Sequence, residues 1–382
     1  MNKTADVVII GGGISGCSIA YFLLKKGVKK VTIIEREYIA SGSTGRCGAG
    51  IRQQWGTEMN CKASKLSCEF FENANEELQY EGDIEFEQGG YLIMASTEKE
   101  KLQFKKNVKL QNSLGINTRM LAVDEIHDIV PFINTEGLTC ATFHEKDGHL
   151  NPFHTNQAFA NAAKRLGADI NLFTEVEDIL VENGKIKGVK TTKGDIETPI
   201  VVNAAGGYAQ KVGEMVGIDL PVYSERHEIL VTEPVERLFH PMLMSFSLNF
   251  YCQQVPHGGI IMGRSGENEP RDLSNSSGWH FLEEMTKTIT RIAPPLRDVR
   301  FLRQWAGQYC ISPDRQPIYG PVYDLEGFYL AVGFSGHGFM FAPATGILLA
   351  ECILGEEQTL PIDILNLDRF KKGGLIFEPS VV

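Results

Sequence analysis

At 382 residues, 43% hydrophobic and 22% charged, the chain has the composition of a globular protein with room for two or three domains. Its formal net charge of −11, with no basic block, excludes a chain-wide affinity for nucleic acid or an anionic membrane surface. A small anionic ligand held by a few arginines remains compatible. The cysteines, Cys17, Cys47, Cys61, Cys68, Cys140, Cys252, Cys310 and Cys352, form no CxxC pair and no metal-ligand spacing, so they read as reduced thiols and no metal site is expected. No apolar run reaches the ~18 to 20 residues of a spanning helix, and the N-terminal run lacks a cleavage site. A cytoplasmic location is expected.

The first element is "DVVIIGGGISGCSIAYFLLKKGVKKVTIIERE". Val7 to Ile10 and Val31 to Ile34 are β-branched runs of buried-strand type, and Ile14, Cys17, Ala20, Tyr21 and Leu24 recur at helical spacing between them, which predicts a βαβ unit. Gly11, Gly13 and Gly16 stand in GxGxxG spacing at its turn. The first allows the turn, the second lets backbone approach a pyrophosphate, and the third lets helix pack on strand. The helix N-terminus supplies N–H groups and partial positive charge to that pyrophosphate. Glu35 ends the second strand, where a carboxylate accepts bonds from ribose hydroxyls and disfavours a 2′-phosphate. The unit predicts NAD or FAD binding.

The next segment favours FAD. An NAD-type fold continues with further βαβ units, whereas this chain enters "SGSTGRCGAGIRQQW", in which Ser43 and Thr44 can bond phosphate or ribityl oxygens. Residues 86–145 read as a strand, a polar helix from Glu98 to Leu114 and short strands. Val176 to Val181 and Lys185 to Thr191 form a hairpin around Glu182, Asn183 and Gly184. Ile200 to Val202 is a buried strand ending at Ala204, Ala205 and Gly206. Residues 226–312 alternate strands with a helix from Trp279 to Ile292, stopped by Pro294 and Pro295. Phe328 to Val332 is a strand leading into "GFSGHG", and Pro343 places the next helix start near Phe341. Three glycine-rich βα turns far apart in sequence suggest one elongated cofactor across one sheet.

These motifs resemble the D-amino-acid oxidase-like flavoenzymes. The fingerprint, the GSTxR loop, "TEVEDI" near Val176, "NAAG" and "GFSGHGF" come in that family's order, over nearly the whole chain. Within the family, "GSTGRCGAGIRQQWG" is most similar to β subunits of heteromeric L-proline dehydrogenases and sarcosine oxidases. The resemblance implies an α/β fold: a Rossmann-like FAD-binding domain of glutathione-reductase type, built from 1–85, 146–220 and 315–382. It implies a substrate domain on a mainly antiparallel sheet from 86–145 and 221–314. It also implies FAD, held non-covalently by Gly11, Gly13, Ile14, Ser15, Gly16, Glu35, Arg36, Ser43, Thr44, Arg46, Gly48, Val176, Gly206, Gly336, His337, Gly338, Phe339 and Met340. A partner subunit or electron carrier is implied as well, with a second flavin, FMN, at a subunit interface left open.

For the substrate, Arg52 matches the family position that binds a carboxylate; the alternative is a surface salt bridge. His337 either faces flavin or substrate or is structural, Tyr251 either closes the pocket or belongs to the core, and His227 is equally open. Arg46 fits cofactor or site electrostatics better than substrate contact. Three departures stand out against simple sarcosine oxidases. Met340 replaces the lysine that follows GHGF. Tyr309 takes the position of the flavin-linking cysteine, leaving Cys310 an ordinary strand thiol. Ile261 replaces the oxygen-activating lysine. The expected activity is FAD-dependent oxidation of a secondary amine or amino acid by hydride transfer to flavin N5, in a heteromeric dehydrogenase. Alternatives are a stand-alone glycine, sarcosine or D-amino-acid oxidase, and a non-catalytic FAD-binding scaffold.

Overall fold

The computed structural model describes residues 2–266 and 269–379. The strands Val7–Ile10 and Val31–Ile34 are buried at every position and pair in parallel, Ile9 opposite Ile33. Continuous burial explains their unbroken apolar sequence, because a parallel strand covered on both faces has no solvent side to mark with polar residues. They lie side by side in a six-stranded sheet with the order Ile318–Pro321, Phe328–Val332, Val201–Asn203, Val7–Ile10, Val31–Ile34, Asp169–Asn171. Only Ile318–Pro321 runs antiparallel to its neighbour.

One face of this sheet is covered by the helices Ile14–Lys25, Pro152–Arg165 and Ala342–Leu354, with Glu58–Glu72 packed on the last. Two of them approach closely. A Cβ on Gly346 would lie 2.3 Å from Ser18 Oγ, and Ser18 donates to the Ala342 carbonyl at 2.8 Å. The other face carries a three-stranded antiparallel sheet, Val176–Glu182, Lys185–Thr191 and Gly194–Glu197. Its first turn is made by Asn183 and Gly184, both at positive φ (51° and 73°), a conformation open to glycine for want of a Cβ and tolerated by asparagine.

A second, eight-stranded sheet is ordered Phe301–Ile311, Tyr223–Thr232, Ile260–Arg264, Phe250–Gln254, Met242–Ser245, Tyr91–Ala95, Cys140–His144, Arg119–Leu121. All its pairings are antiparallel except Met242–Ser245 with Tyr91–Ala95. Helix Trp279–Ile292 lays Phe281, Met285, Ile289 and Ile292 against Leu230, Leu243, Cys252 and Met262 on one face. Residues directly opposite on neighbouring strands share a face. The other face therefore carries Tyr251, Gly263 and Ile229 in one row, and Gln253, Ile261 and Val231 in the next. This face meets the segment after Gly48: Gln253 Nε2 donates to the Gly48 carbonyl at 2.6 Å. Among the described residues no helix is long and apolar enough to cross a membrane, and no group of three or more His, Cys, Asp or Glu could hold a metal ion.

Candidate active site

The glycine turn comes first. Gly11 sits at φ +116°, and a Cβ there would lie 2.5 Å from the Ala204 carbonyl oxygen. Only glycine fits this conformation and this gap. Beyond the turn, the Ile14 N–H donates to Thr44 Oγ1 (3.0 Å), leaving other first-turn donors without intrahelical partners. Glu35 accepts from Gly12 N (2.7 Å), Glu37 N (2.8 Å) and Ser41 Oγ (3.3 Å), so its carboxylate ties the fingerprint to the loop that comes after it.

At the carboxyl ends of the parallel strands lies a cavity of about 320 Å³. It is lined by Gly11, Gly13, Ile14, Ser15, Glu35, Arg36, Ser43, Thr44, Arg46, Val176, Gly206, Gly336, Gly338 and Phe339, all expected from the sequence. Four other expected residues lie off its wall. Gly16 is inside the helix, where a Cβ would strike the Gly11 carbonyl at 2.0 Å, so it supports the turn from behind. A Cβ on Gly48 would rest 3.4 Å from the Tyr251 ring, which puts Gly48 under the large sheet. Met340 is buried in the helical core, and His337 turns toward Trp55.

Sequence reasoning missed several wall residues. Tyr208 stacks beneath the Arg36 guanidinium at 4.0 Å; its signal was the aromatic directly after "NAAGG". Gln308 and Asn275 close another side, with Gln308 Nε2 donating to the Ser274 carbonyl and to Asn275 Oδ1. Cys47, Tyr309 and Cys310 also line the cavity. Cys310 is a free thiol on the strand Phe301–Ile311, and it also stands on the cavity wall. Burial pushes its thiol up to about 11, which keeps it protonated and weakly nucleophilic. The turn Ser43–Arg46 is fastened to the edge of the large sheet: Ser43 Oγ donates to the Gln308 carbonyl (2.6 Å) and Arg46 Nη1 to the Ala306 carbonyl (3.4 Å). No carboxylate pairs with Arg46 among the described residues.

The shape and donors fit a dinucleotide. A first-turn helix terminus, Thr44 and Arg46 supply an anion site, Glu35 a ribose acceptor, and Arg36 with Tyr208 a flat polar end. Glycines at 336 and 338 keep the opposite end open; a Cβ on Gly336, at φ +95°, would lie 2.7 Å from the Tyr309 ring.

Five residues past Cys47 the chain reaches Arg52, which is 3% exposed. Its guanidinium lies over Trp55 at 3.8 Å and within 5.5 Å of the Phe246 ring, and Nη1 donates to the Gln54 carbonyl at 3.3 Å. Among the described residues no carboxylate forms an ion pair with it. Burial lowers its proton affinity, opposed by Tyr91, Glu378 and Asp147. The surface salt-bridge alternative is excluded by this burial. His337 stands edge-on to the same indole at 4.6 Å; burial first, then the Arg52 charge, depress its pKa to about 3, so it is neutral.

Across the cavity, His227 is sandwiched between Tyr309 (4.4 Å, 7° interplanar) and Tyr251 (5.8 Å, 12°), and its Nε2 is 3.3 Å from the Tyr251 hydroxyl. Burial lowers His227 to about 4. A Cβ on Gly263 would strike the Tyr251 hydroxyl at 2.4 Å, so this glycine makes room for the ring column. Ile261 lies on the same face, one row along.

A cavity of this form, at the strand ends of a glycine-fingerprint sheet and roofed by a mainly antiparallel sheet, defines a two-sheet flavoprotein oxidoreductase. The family model for FAD-dependent oxidoreductases (DAO) matches residues 6–352, and the chain belongs to this family and uses FAD. It is 28% identical to the sarcosine oxidase subunit beta of Rhodobacter capsulatus over 381 residues, covering 98% of this chain and 91% of the relative. The crystal structure of L-proline dehydrogenase from P. horikoshii superposes with a TM-score of 0.94 at 39% identity, covering 98% of this chain and all of that one. Glycine oxidase from Geobacillus kaustophilus shares the fold at TM-score 0.89 and 22% identity, covering 96% of this chain and 99% of that one.

Proposed function

We propose that this enzyme oxidises a small secondary amine or amino acid bearing a carboxylate, of the proline, hydroxyproline or sarcosine kind, as the catalytic subunit of a heteromeric dehydrogenase. In this reading 1–85, 146–220 and 315–382 chiefly hold the cofactor and 86–145 with 221–314 cover the substrate. FAD supplies the acceptor for a hydride leaving the carbon that bears nitrogen.

One observation carries the reading: Arg52 is a buried guanidinium with no carboxylate partner of its own among the described residues. Burying a cation is costly unless an anion joins it, so a site of this kind favours a carboxylate ligand and holds it through two parallel N–H donors. Trp55 beneath the guanidinium fixes its plane. Phe246 and Tyr251 give the apolar walls that exclude water from the reacting carbon. His227 and His337 stay uncharged, so neither repels an approaching hydride donor or competes with Arg52 for the carboxylate. The similarity to the R. capsulatus and P. horikoshii proteins supports the substrate class and a partner subunit.

The test is anaerobic bleaching of the flavin by proline, hydroxyproline, sarcosine, glycine and D-amino acids, beside the amide of each. Bleaching by one acid and not by its amide is expected. Equal bleaching by acid and amide refutes the carboxylate role of Arg52, and bleaching by none of the acids refutes the substrate class. Co-purification of an untagged partner with tagged chain tests the heteromer; a fully active lone subunit rules it out.

A further inference from the structure

Two buried carboxylates near Arg52 take no part in the function proposed above. Glu378 is brought by the C-terminal segment and is 4% exposed. It accepts hydrogen bonds from Gly56 N (2.7 Å), Thr57 Oγ1 (2.8 Å) and Asn60 Nδ2 (2.9 Å). Asp147, fully buried, accepts from Gln53 N (2.8 Å) and Gln54 Nε2 (3.0 Å). The pair grips both ends of the turn that begins at Arg52. Neither forms an ion pair with the guanidinium itself. Each is nonetheless close enough to favour its charged form.

We propose that Glu378 is a positioning residue for Arg52: it holds the Arg52–Thr57 turn and supplies negative potential without occupying the guanidinium fork, which is left for a substrate carboxylate. The proposal rests on the reading of Arg52 given above. A directly paired glutamate would compete with the ligand; one whose oxygens already accept from backbone, hydroxyl and amide donors does not. The turn transmits the constraint through Trp55, whose indole N–H donates to the Arg52 carbonyl (2.9 Å) and whose ring carries the guanidinium. Gly56, the next residue, is the one Glu378 holds. A Cβ there would lie 2.4 Å from Pro379 Cγ and 2.8 Å from Glu378 Oε1, so a larger residue at 56 would push the C-terminal side chains away from the turn.

A double-mutant cycle tests this. Wild type, Glu378→Gln, Arg52→Ala and the double variant are compared for flavin content, for the dissociation constants of sarcosine, L-proline and glycine in anaerobic titrations, and for limiting reduction rates. Glu378→Gln should weaken the bleaching ligand about 3- to 10-fold, the size of one ordinary hydrogen bond felt indirectly through the turn, with the limiting rate and FAD content kept. It should add nothing in the Arg52→Ala background, and Glu378→Asp should recover part of the affinity. Hydrogen exchange at Gly56 should quicken in Glu378→Gln, a measurement that needs no substrate. An equal Glu378→Gln effect in both backgrounds, or none in either, overturns the proposal while Arg52 keeps its role. Unchanged affinity in Arg52→Ala overturns the Arg52 reading, and this proposal with it. If Glu378→Gln does not fold, Thr57→Val removes one of the same bonds and should give the smaller effect with the same background dependence; no effect refutes the link.

Discussion

Replacing Gly11 by alanine separates two costs that the fingerprint glycine avoids. At φ +116° an L-residue is strained by ~1 to 3 kcal/mol. The new Cβ would also lie 2.5 Å from the Ala204 carbonyl oxygen and 3.3 Å from Ala205 Cα. These are backbone atoms at the end of the neighbouring strand, so they do not swing aside as a side chain would. Relief must come from moving the turn, and the turn lines the cofactor cavity. Gly27→Ala is the control. That glycine has φ +99°, and a Cβ there would meet nothing within 4 Å, so it carries the strain without the crowding. For a chain of this size ~1 kcal/mol corresponds to about 1 °C in Tm. Gly27→Ala should therefore lower the apoprotein Tm by about 1 to 4 °C and leave FAD affinity unchanged. Gly11→Ala should lower Tm further and weaken FAD at least 10-fold, about 1.4 kcal/mol, as read by flavin fluorescence titration. Wild-type FAD affinity in Gly11→Ala would refute the argument that this contact shapes the cofactor site.

Heat or acid should release FAD from the precipitated chain, because burial pushes the Cys310 thiol on the cavity wall up to about 11 and so keeps it protonated; flavin retained in the pellet refutes non-covalent binding. Ile261→Lys places a cation on the face that carries Tyr251 and Gln253; if a positive charge there stabilises superoxide as it forms, reoxidation of reduced enzyme by air should be slow in wild type and faster in the variant, and rapid peroxide formation by wild type would refute the dehydrogenase reading. Burial raises Asp147 to about 6 from an ordinary 3.8. The folded state then binds more protons than the unfolded between those values, so this residue lowers stability as pH rises from about 4 to about 6. Asp147→Asn should flatten that part of the Tm–pH curve, and an unchanged slope would show that the carboxylate does not titrate there.

Much was settled by local pattern. The strands Val7–Ile10, Val31–Ile34 and Phe328–Val332 and the helix Trp279–Ile292 fall where periodicity places them, because continuous burial and a 3.6-residue repeat are written in neighbouring residues. The glycine spacing with Glu35 marked the cofactor cradle for the same reason: a turn is a local object. What tertiary structure alone decided is which way a side chain faces. His337 lies between two glycines that line the cavity, yet its ring turns to Trp55, because the indole arriving from residue 55 offers an apolar surface that the loop cannot reveal. The column of Tyr309, His227 and Tyr251 joins three strands of the large sheet, and only their register brings the rings together. Glu378 is 322 residues from the glycine it holds, and no spacing rule spans that distance. Periodicity records each residue's own burial; a contact between distant segments depends on how two sheets and a tail dock, which is fixed by the shapes of surfaces assembled from the whole chain.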